Sequence, residues 1–429
     1  MIRNSKFMFE KIEFCMVPRV YHLFGSESAY FRCNSWLLPR PLSSHCPFVV
    51  GSRELSVCST AFKHLRIPST QRESCNNFST STHKPSKYFN ENKFKEEFKE
   101  ATGYLREGEC RNEIQDAVVH LDQMIDYNVF GGKMNRAMIV LSSFNLLASP
   151  DQLTDKNQQK AVLLGWCVEL LQACFLVADD IMDQSTMRRG KPCWYKINGV
   201  GLSGFNDAFL LYSSIHSILR SNFKDDPCYI YLVELFEKVL QQTTIGQSLD
   251  LLTSPIGNTD LTRFTEERYD AIVKWKTGFY SFYMPVALAL YLVGICDEPT
   301  HNQAKEILLK MGHFFQVQDD YLDCYGEPET IGKVGTDIEE NKCSWLIVQA
   351  LKLANEDQRK ALQTNYGLDD PKKVAIVKTI YHELQLESIY KKFELESYED
   401  IQREIDNMKS DLPKQLFLEY ATRIFQREK

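Results

Sequence analysis

Apolar residues recur at every third or fourth position along most of the chain beyond residue 88, whereas strict apolar–polar alternation is almost absent. This spacing puts apolar side chains on one face of an α-helix, and it predicts about a dozen helices. The periodic stretches are residues 94–104, 114–124, 138–147, 160–183, 209–219, 229–252, 264–292, 303–325, 343–353, 358–366, 374–384 and 401–425. No linker rich in Pro, Gly or Ser separates them. The pattern therefore predicts an all-α fold in which residues 89–429 form a single large helical-bundle domain.

Residues 1–88 lack a persistent helical period and are rich in Ser and Thr. They hold 12 Lys and Arg against 5 Asp and Glu, whereas the rest of the chain holds 38 against 52. A basic, acid-poor and Ser-rich start is typical of an organelle transit peptide, with residues 78–82 as its candidate end. A disordered extension is the alternative interpretation. A transit peptide predicts a mitochondrial protein, and a disordered extension predicts a cytoplasmic one.

The composition of the main body argues against two classes of partner. Its 52 acidic residues against 38 basic ones disfavour binding to nucleic acid. The longest apolar run, residues 284–296, is shorter than the ~20 residues that cross a bilayer, so no transmembrane span is predicted. The 13 cysteines contain no C-x-x-C pair, which favours reduced, buried thiols over a disulfide or zinc framework.

Two Asp-Asp-x-x-Asp motifs stand at the ends of apolar helical stretches. Their acidic residues are Asp179, Asp180 and Asp183 in the first motif and Asp319, Asp320 and Asp323 in the second. Because residues four apart share a helix face, each motif presents carboxylates that would repel one another unless a cation neutralised them. Oxygen ligands without His or Cys suit Mg²⁺ or Mn²⁺. One such motif would also fit a solvated helix end, but two identical motifs favour a pair of metal-binding sites.

Basic residues cluster beside these motifs and beside glycine turns. They are Lys133, Arg136, Arg188, Arg189, Lys276, Lys333 and Lys342. Surface salt bridges are the usual outcome for such residues. Their position beyond glycine turns and acidic motifs favours a bound phosphate group instead. Together with the metals they indicate a diphosphate, and the apolar helix walls indicate that the rest of the substrate is hydrocarbon.

Six further segments complete a resemblance that covers residues 89–429. They are 131–136 (GGKMNR), 165–172 (GWCVELLQ), 188–195 (RRGKPCWY), 246–250 (GQSLD), 276–283 (KTGFYSFY) and 341–345 (NKCSW). With the two acidic motifs, they identify the chain as similar to the short-chain trans-prenyl diphosphate synthases. It most resembles the animal farnesyl diphosphate synthases, and among them an insect enzyme is expected.

This resemblance implies an Mg²⁺-dependent prenyltransferase that works as a homodimer on small-molecule prenyl diphosphates. Three Mg²⁺ ions are expected in each active site, where Mn²⁺ or Co²⁺ can substitute. Asp179, Asp183 and Asp319 would be direct ligands. The other three motif aspartates, Asp180, Asp320 and Asp323, would bind directly or through water.

The resemblance also implies which residues hold the two substrates. The allylic diphosphate would bind Arg188, Lys276, Lys333 and Lys342, and isopentenyl diphosphate would bind Lys133, Arg136, Gln172, Arg189 and Arg427. Isopentenyl diphosphate would then attack the allylic cation that forms when diphosphate leaves. Lys276, Thr277, Gln316 and Tyr280 are the expected catalytic residues. Lys276 would hold the departing diphosphate, whereas the Thr277 hydroxyl and backbone, the Gln316 amide and the Tyr280 ring would supply dipoles and π density that suit the cation.

Two positions depart from the family pattern. Where two aromatic residues usually precede the first motif, this chain has Cys174 and Phe175. They lie about one helical turn below Asp179, at the floor where the growing product points, so they are the predicted chain-length residues. A neighbouring side chain that fills the space beside Cys174 is the alternative. The tail ends Arg427-Glu428-Lys429 and is less basic than usual, which predicts weaker closure over isopentenyl diphosphate.

Three other functions fit the same motifs less well. A geranyl diphosphate synthase would stop one unit earlier. A terpene synthase derived from this family would need no isopentenyl diphosphate site, yet Lys133, Arg136, Gln172 and Arg189 are all present. A regulatory subunit would be expected to lose motif aspartates, and none is lost.

Overall fold

A computed structural model describes residues 89–107, 110–255, 257–258, 260–326 and 335–425, which belong to one compact unit, Ser79–Lys429. The expected transit segment 1–88, Lys333 and Arg427 lie outside the described residues. The predicted boundary at residue 89 therefore stays a prediction.

The described chain is helical throughout, which confirms the all-α prediction. The α-helices are α1 (Glu91–Ala101), α2 (Cys110–Glu113), α3 (Gln115–Asn128), α4 (Asn135–Leu147), α5 (Asp155–Met182), α6 (Gly204–Phe223), α7 (Tyr229–Thr253), α8 (Glu266–Ile272), α9 (Met284–Val293), α10 (Glu298–Tyr325), α11 (Trp345–Leu353), α12 (Glu356–Asn365), α13 (Pro371–Glu383), α14 (Leu386–Asp406) and α15 (Lys414–Phe425). Within the described ranges, the only strands are the two-residue β1 (Met187–Arg188) and β2 (Lys191–Pro192), which form an antiparallel hairpin.

Helix α5 is the central element of the bundle, packed against α4 and α6. It begins at Asp155, where the Thr154 side chain accepts the backbone N–H of Asn157. It is buried on every side from Ala161 to Cys174, which explains its near-continuous apolar sequence. Among the described residues it is the one helix long and apolar enough to cross a membrane, but 83% of its most apolar window is buried inside the protein. That burial matches a core helix.

Two long predicted helices differ from the structure: one is interrupted, and the other contains a segment of a different helix type. The stretch 401–425 breaks into α14, which ends at Asp406, and α15, which begins at Lys414 directly after Pro413. The stretch 264–292 stays continuous, but its middle is a π-helical segment, Val273–Tyr283, between α8 and α9. Periodicity misses this segment because a π-helix differs from an α-helix by only one residue in its hydrogen-bond spacing.

Candidate active site

The first acidic motif lies at the end of α5, where cations from three other parts of the chain meet it. Asp180 accepts a hydrogen bond from Arg188 Nε at 3.0 Å, and Asp183 accepts one from Lys342 Nζ. Lys276 Nζ lies 3.3 Å from Asp179 Oδ1. The predicted cluster of carboxylates and cations is thus assembled from α5, the β-hairpin, the π-helical segment and the loop before α11.

The charges of this cluster are strongly coupled. Although burial opposes it, the ammonium groups of Lys276 and Lys342 and the Arg188 guanidinium hold the pKa of Asp179 below its ordinary value. Burial raises the pKa of Asp183, with Lys342 acting in the opposite direction and Asp179 adding to the rise. The pKa values of these two carboxylates of the first motif are therefore shifted in opposite directions.

Lys276 has a second acidic partner that sequence reasoning missed. Its Nζ donates to Asp250 Oδ2 at 2.7 Å, from the last turns of α7. Burial lowers the pKa of Lys276, but Asp250 and Asp179 outweigh it and leave the pKa raised. A signal was present in the sequence, since Asp250 lies one helical turn beyond Gly246 in the GQSLD segment.

The second acidic motif, near the end of α10, is arranged differently. Asp320 Oδ2 accepts from the Tyr269 hydroxyl and the Trp345 backbone N–H, both at 2.8 Å, and Asp320 Oδ1 accepts from Gln316 Nε2 at 3.0 Å. Burial raises the pKa of Asp320 to about 7, while these three donors act against that rise. Asp323 Oδ2 accepts the backbone N–H of Asp337 at 3.0 Å. Tyr269 and Trp345 were not expected from the sequence.

The π-helical segment carries three of the four expected catalytic residues, Lys276, Thr277 and Tyr280. The Thr277 hydroxyl donates to Gln316 Oε1 at 3.4 Å, which brings the fourth into the same group. A Cβ on Gly246 of α7 would lie 2.1 Å from the Lys276 backbone nitrogen, so only glycine permits this approach of α7. Gly246 thereby sets where the Lys276 and Thr277 backbone lies.

The expected isopentenyl diphosphate residues surround the turn before α4. Arg136 Nη2 donates to the Tyr280 and Ser281 hydroxyls, at 3.0 and 2.6 Å. Arg189 adopts a left-handed conformation with φ = 53° in the β-hairpin turn, and a Cβ on Gly132 would lie 3.1 Å from its Nη2. Gln172 Oε1 is buried without a hydrogen-bond donor. Lys133 is exposed at the same turn.

A buried carboxylate supports this basic group. Glu169 accepts a hydrogen bond from the Ala137 backbone N–H at 3.2 Å, at the start of α4. The N-cap residue of this helix makes no side-chain hydrogen bond to the first turn. Burial raises the pKa of Glu169, and Arg136 and Arg189 act in the opposite direction. Sequence analysis gave Glu169 no role.

The expected chain-length residues lie beside the catalytic segment. The Phe175 ring packs edge-on against Tyr280, with ring centroids 5.3 Å apart. Cys174 is buried, and Tyr212 of α6 lies near it. Tyr280 of the catalytic segment therefore contacts both Phe175 and Arg136, because its hydroxyl also accepts the Arg136 hydrogen bond.

Comparison with known proteins places this chain in one family. The polyprenyl synthetase model matches residues 118–384. Farnesyl pyrophosphate synthase from Bos taurus is 51% identical over 317 residues, which cover 74% of this chain and 90% of the bovine one. Farnesyl pyrophosphate synthase 1, mitochondrial, from Arabidopsis thaliana is 47% identical over 309 residues, covering 72% and 80%. A structure of T. Brucei Farnesyl Diphosphate Synthase complexed with bisphosphonate BPH-722 aligns with a TM-score of 0.73 and 34% identity, over 80% of this chain and 100% of that one.

The chain belongs to the polyprenyl synthetase family. The family match confirms the fold class and the general resemblance drawn from the motifs. These relatives come from a vertebrate, a plant and T. brucei, so the expected likeness to insect enzymes stays a prediction.

The acidic residues of this synthetase suit the Mg²⁺ that the family is expected to use. Asp179 Oδ1 is buried and accepts no well-aligned hydrogen bond, so it has a lone pair left for a cation. The candidate ligands are carboxylates, which are hard oxygen donors. Among the described residues, no three acidic, His or Cys side chains already converge at metal-binding distances. Instead, Lys276, Lys342 and Arg188 lie between the carboxylates.

The close approach at Gly246 gives a test of the site's architecture. We expect Gly246→Ala to push α7 away from the π-helical segment, since the added methyl meets the backbone rather than a movable side chain. Turnover should fall by at least ~100-fold, because displacement of reactive groups by ~1 Å costs about that much. Gly103→Ala is the matched control, since its Cβ would meet nothing closer than 4.0 Å. Equal steady-state turnover in the two variants would contradict the role given to Gly246.

Proposed function

We infer that this synthetase is a farnesyl diphosphate synthase, a transferase that condenses isopentenyl diphosphate with dimethylallyl and then geranyl diphosphate. One observation carries the inference. The π-helical segment joins the acidic cluster, through Lys276, to the basic group around Arg136, through Tyr280. A site that binds one diphosphate at the acidic end and another at the basic end is what chain elongation requires.

The allylic diphosphate binds between the two acidic motifs in this proposal. Asp179, Asp183 and Asp319 would hold three Mg²⁺ ions, with Asp180, Asp320 and Asp323 in direct or water-mediated support. Bound Mg²⁺ neutralises the charge that develops on the departing diphosphate. Arg188, Lys276, Lys342 and Lys333, the last outside the described residues, contact the same diphosphate. The ammonium groups that now pair with Asp179 and Asp183 are thus positioned to turn to the substrate.

The carbon–oxygen bond of the allylic diphosphate breaks and its electron pair leaves with diphosphate. The oxygens of Thr277 and Gln316 and the ring of Tyr280 face the cation left behind. Isopentenyl diphosphate, held by Lys133, Arg136, Gln172, Arg189 and Arg427, forms the new carbon–carbon bond and then loses a proton to the departing diphosphate. Arg427 lies outside the described residues.

A product assay tests this function. With isopentenyl diphosphate, dimethylallyl diphosphate and Mg²⁺, the protein should release farnesyl diphosphate, identified by chain length. Asp179→Ala and Asp319→Ala should each lower turnover on the order of 1,000-fold, because the charge on the leaving group is no longer balanced. Asp411→Ala, at an exposed acidic residue, is the control. Near-normal turnover in either motif variant, with intact helical circular dichroism, would refute the assignment.

Product length is the finer part of the proposal. We propose that Phe175 is the main barrier beyond fifteen carbons, because the position before it holds the smaller Cys174. The alternative products are geranyl and geranylgeranyl diphosphate.

Substitutions at the tunnel floor separate these products. Phe175→Ala should lengthen them to geranylgeranyl diphosphate or beyond, and Cys174→Phe should hold them at farnesyl or shorten them to geranyl diphosphate. Both are volume effects, so the product ratio should change more than total activity. An unchanged product spectrum in both variants would place the barrier elsewhere.

We further propose a homodimer that forms through α6 and α7. Leu202, Phe205 and Phe209 form an apolar stripe on and just before α6, and Ile245 and Leu252 are exposed on α7. Leu202 and Phe209 are 72% and 73% exposed, which is unusual for large apolar side chains. Light scattering should give twice the chain mass, and the monomer mass would contradict this surface's role.

Residues 1–88 are proposed to direct the protein to mitochondria. Their net basic, Ser-rich composition supports this, as does the likeness to a plant relative whose name includes the word mitochondrial. A reporter fused to these residues should enter mitochondria, and a cytosolic reporter would favour the disordered extension.

A further inference from the structure

The two adjacent aspartates of the second motif differ in burial, since Asp320 is buried and Asp319 is half-buried. Asp320 is buried and points toward Tyr269 and Trp345, both members of a hydrophobic core cluster. Its Oδ2 already accepts two hydrogen bonds, the number that its two lone pairs allow. The direction of one of these hydrogen bonds is fixed, since the Trp345 backbone N–H can only donate. Asp320 is therefore a buried carboxylate whose Oδ2 has no lone pair left for a cation.

The remaining oxygen of Asp320 determines how the Gln316 side chain is oriented. A carboxylate only accepts hydrogen bonds, so the Gln316 group that meets Asp320 Oδ1 at 3.0 Å must be its NH₂. The amide carbonyl then points the other way, where the Thr277 hydroxyl donates to it. Three donors around Asp320 oppose the rise in its pKa that burial causes, and the accepting carboxylate is the form that this geometry fits.

We propose that Asp320 is a positioning residue that fixes the Gln316 amide with its oxygen toward the reacting carbon. In this role Asp320 does not bind metal, which departs from the metal-supporting role that the family resemblance implies for it. The inference rests on the proposed function, in which a carbocation forms beside Thr277 and Gln316. A carbonyl oxygen stabilises that cation, whereas a rotated amide would present its NH₂ group and repel it. The correct orientation is set before the substrate binds, so no reorganisation is needed during the reaction.

Asp320→Asn reverses the orientation with almost no change in shape. The amide oxygen of the substituted side chain can still accept from Tyr269 and Trp345, which places its NH₂ against Gln316 and forces that amide to rotate. We expect kcat to fall about 100-fold, the scale of losing one oriented dipole in an active site, with little change in the KM for isopentenyl diphosphate.

A second substitution at Gln316 should restore activity. In the double variant Asp320→Asn/Gln316→Glu, the carboxylate introduced at position 316 accepts from the NH₂ introduced at position 320 and again presents an oxygen to the cation. We expect kcat within about 10-fold of wild type, although Gln316→Glu alone places two carboxylates together and should be strongly impaired. A merely structural role for Asp320 predicts no such rescue. A double variant no more active than Asp320→Asn would overturn the proposal.

Calorimetry with Mg²⁺ and inorganic diphosphate supplies a readout without turnover. Asp320→Asn should bind Mg²⁺–diphosphate within about 3-fold of wild type, because the residue holds no metal, whereas Asp319→Asn should bind it at least ~10-fold more weakly. Equal weakening in both variants would make Asp320 a metal ligand and refute the inference. If wild-type protein binds Mg²⁺–diphosphate but forms no prenyl product, the proposed function fails, and the binding comparison still decides whether Asp320 holds metal.

Discussion

Charge balance at the ends of two buried helices is the constraint on which this site depends. A carboxylate taken out of water is costly unless cations or hydrogen-bond donors surround it. At the end of α5 the compensation comes from Lys276, Lys342 and Arg188, which belong to three separate elements. Helices that are distant in sequence are thereby drawn to one point. In the proposed reaction, the same ammonium groups would bind the anionic substrate while metal ions bind the carboxylates.

The π-helical segment converts this electrostatic arrangement into catalytic geometry. A π-helical segment has a wider hydrogen-bond spacing than an α-helix, which is rare and costly. Such segments recur at functional sites because they redirect side chains. Here Lys276 faces the first motif, Thr277 faces Gln316 and Tyr280 contacts both Arg136 and Phe175. Gly246 lets α7 press against this backbone, and a Cβ on Gly312 of α10 would lie only 3.3 Å from the Gly278 Cα. Glycines on two neighbouring helices therefore hold one unusual segment from two sides.

The two acidic motifs have the same sequence pattern but different surroundings. In the first, lysine and arginine side chains supply the counter-charge. In the second, Asp320 is compensated by a backbone N–H, a tyrosine hydroxyl and an amide. Mobile charged side chains can turn to a substrate, whereas fixed neutral donors cannot. This difference suits the first motif to exchange partners during the reaction and the second to keep Gln316 in one orientation.

The sequence by itself determined the helical class, the two acidic motifs and most of the basic residues, because these depend on local periodicity and on residue type. It also indicated a glycine turn beside Lys133 and Arg136, since glycine pairs interrupt helices whatever surrounds them. It did not reveal the π-helical segment or the break at residues 407–413, where hydrogen-bond spacing and backbone direction, and not apolar period, changed. Nor did it show which donors surround Asp320, or pair Lys276 with Asp250. Those relations depend on residues tens of positions apart, so only the packing of α7, α8, α10 and α11 around one another decided them.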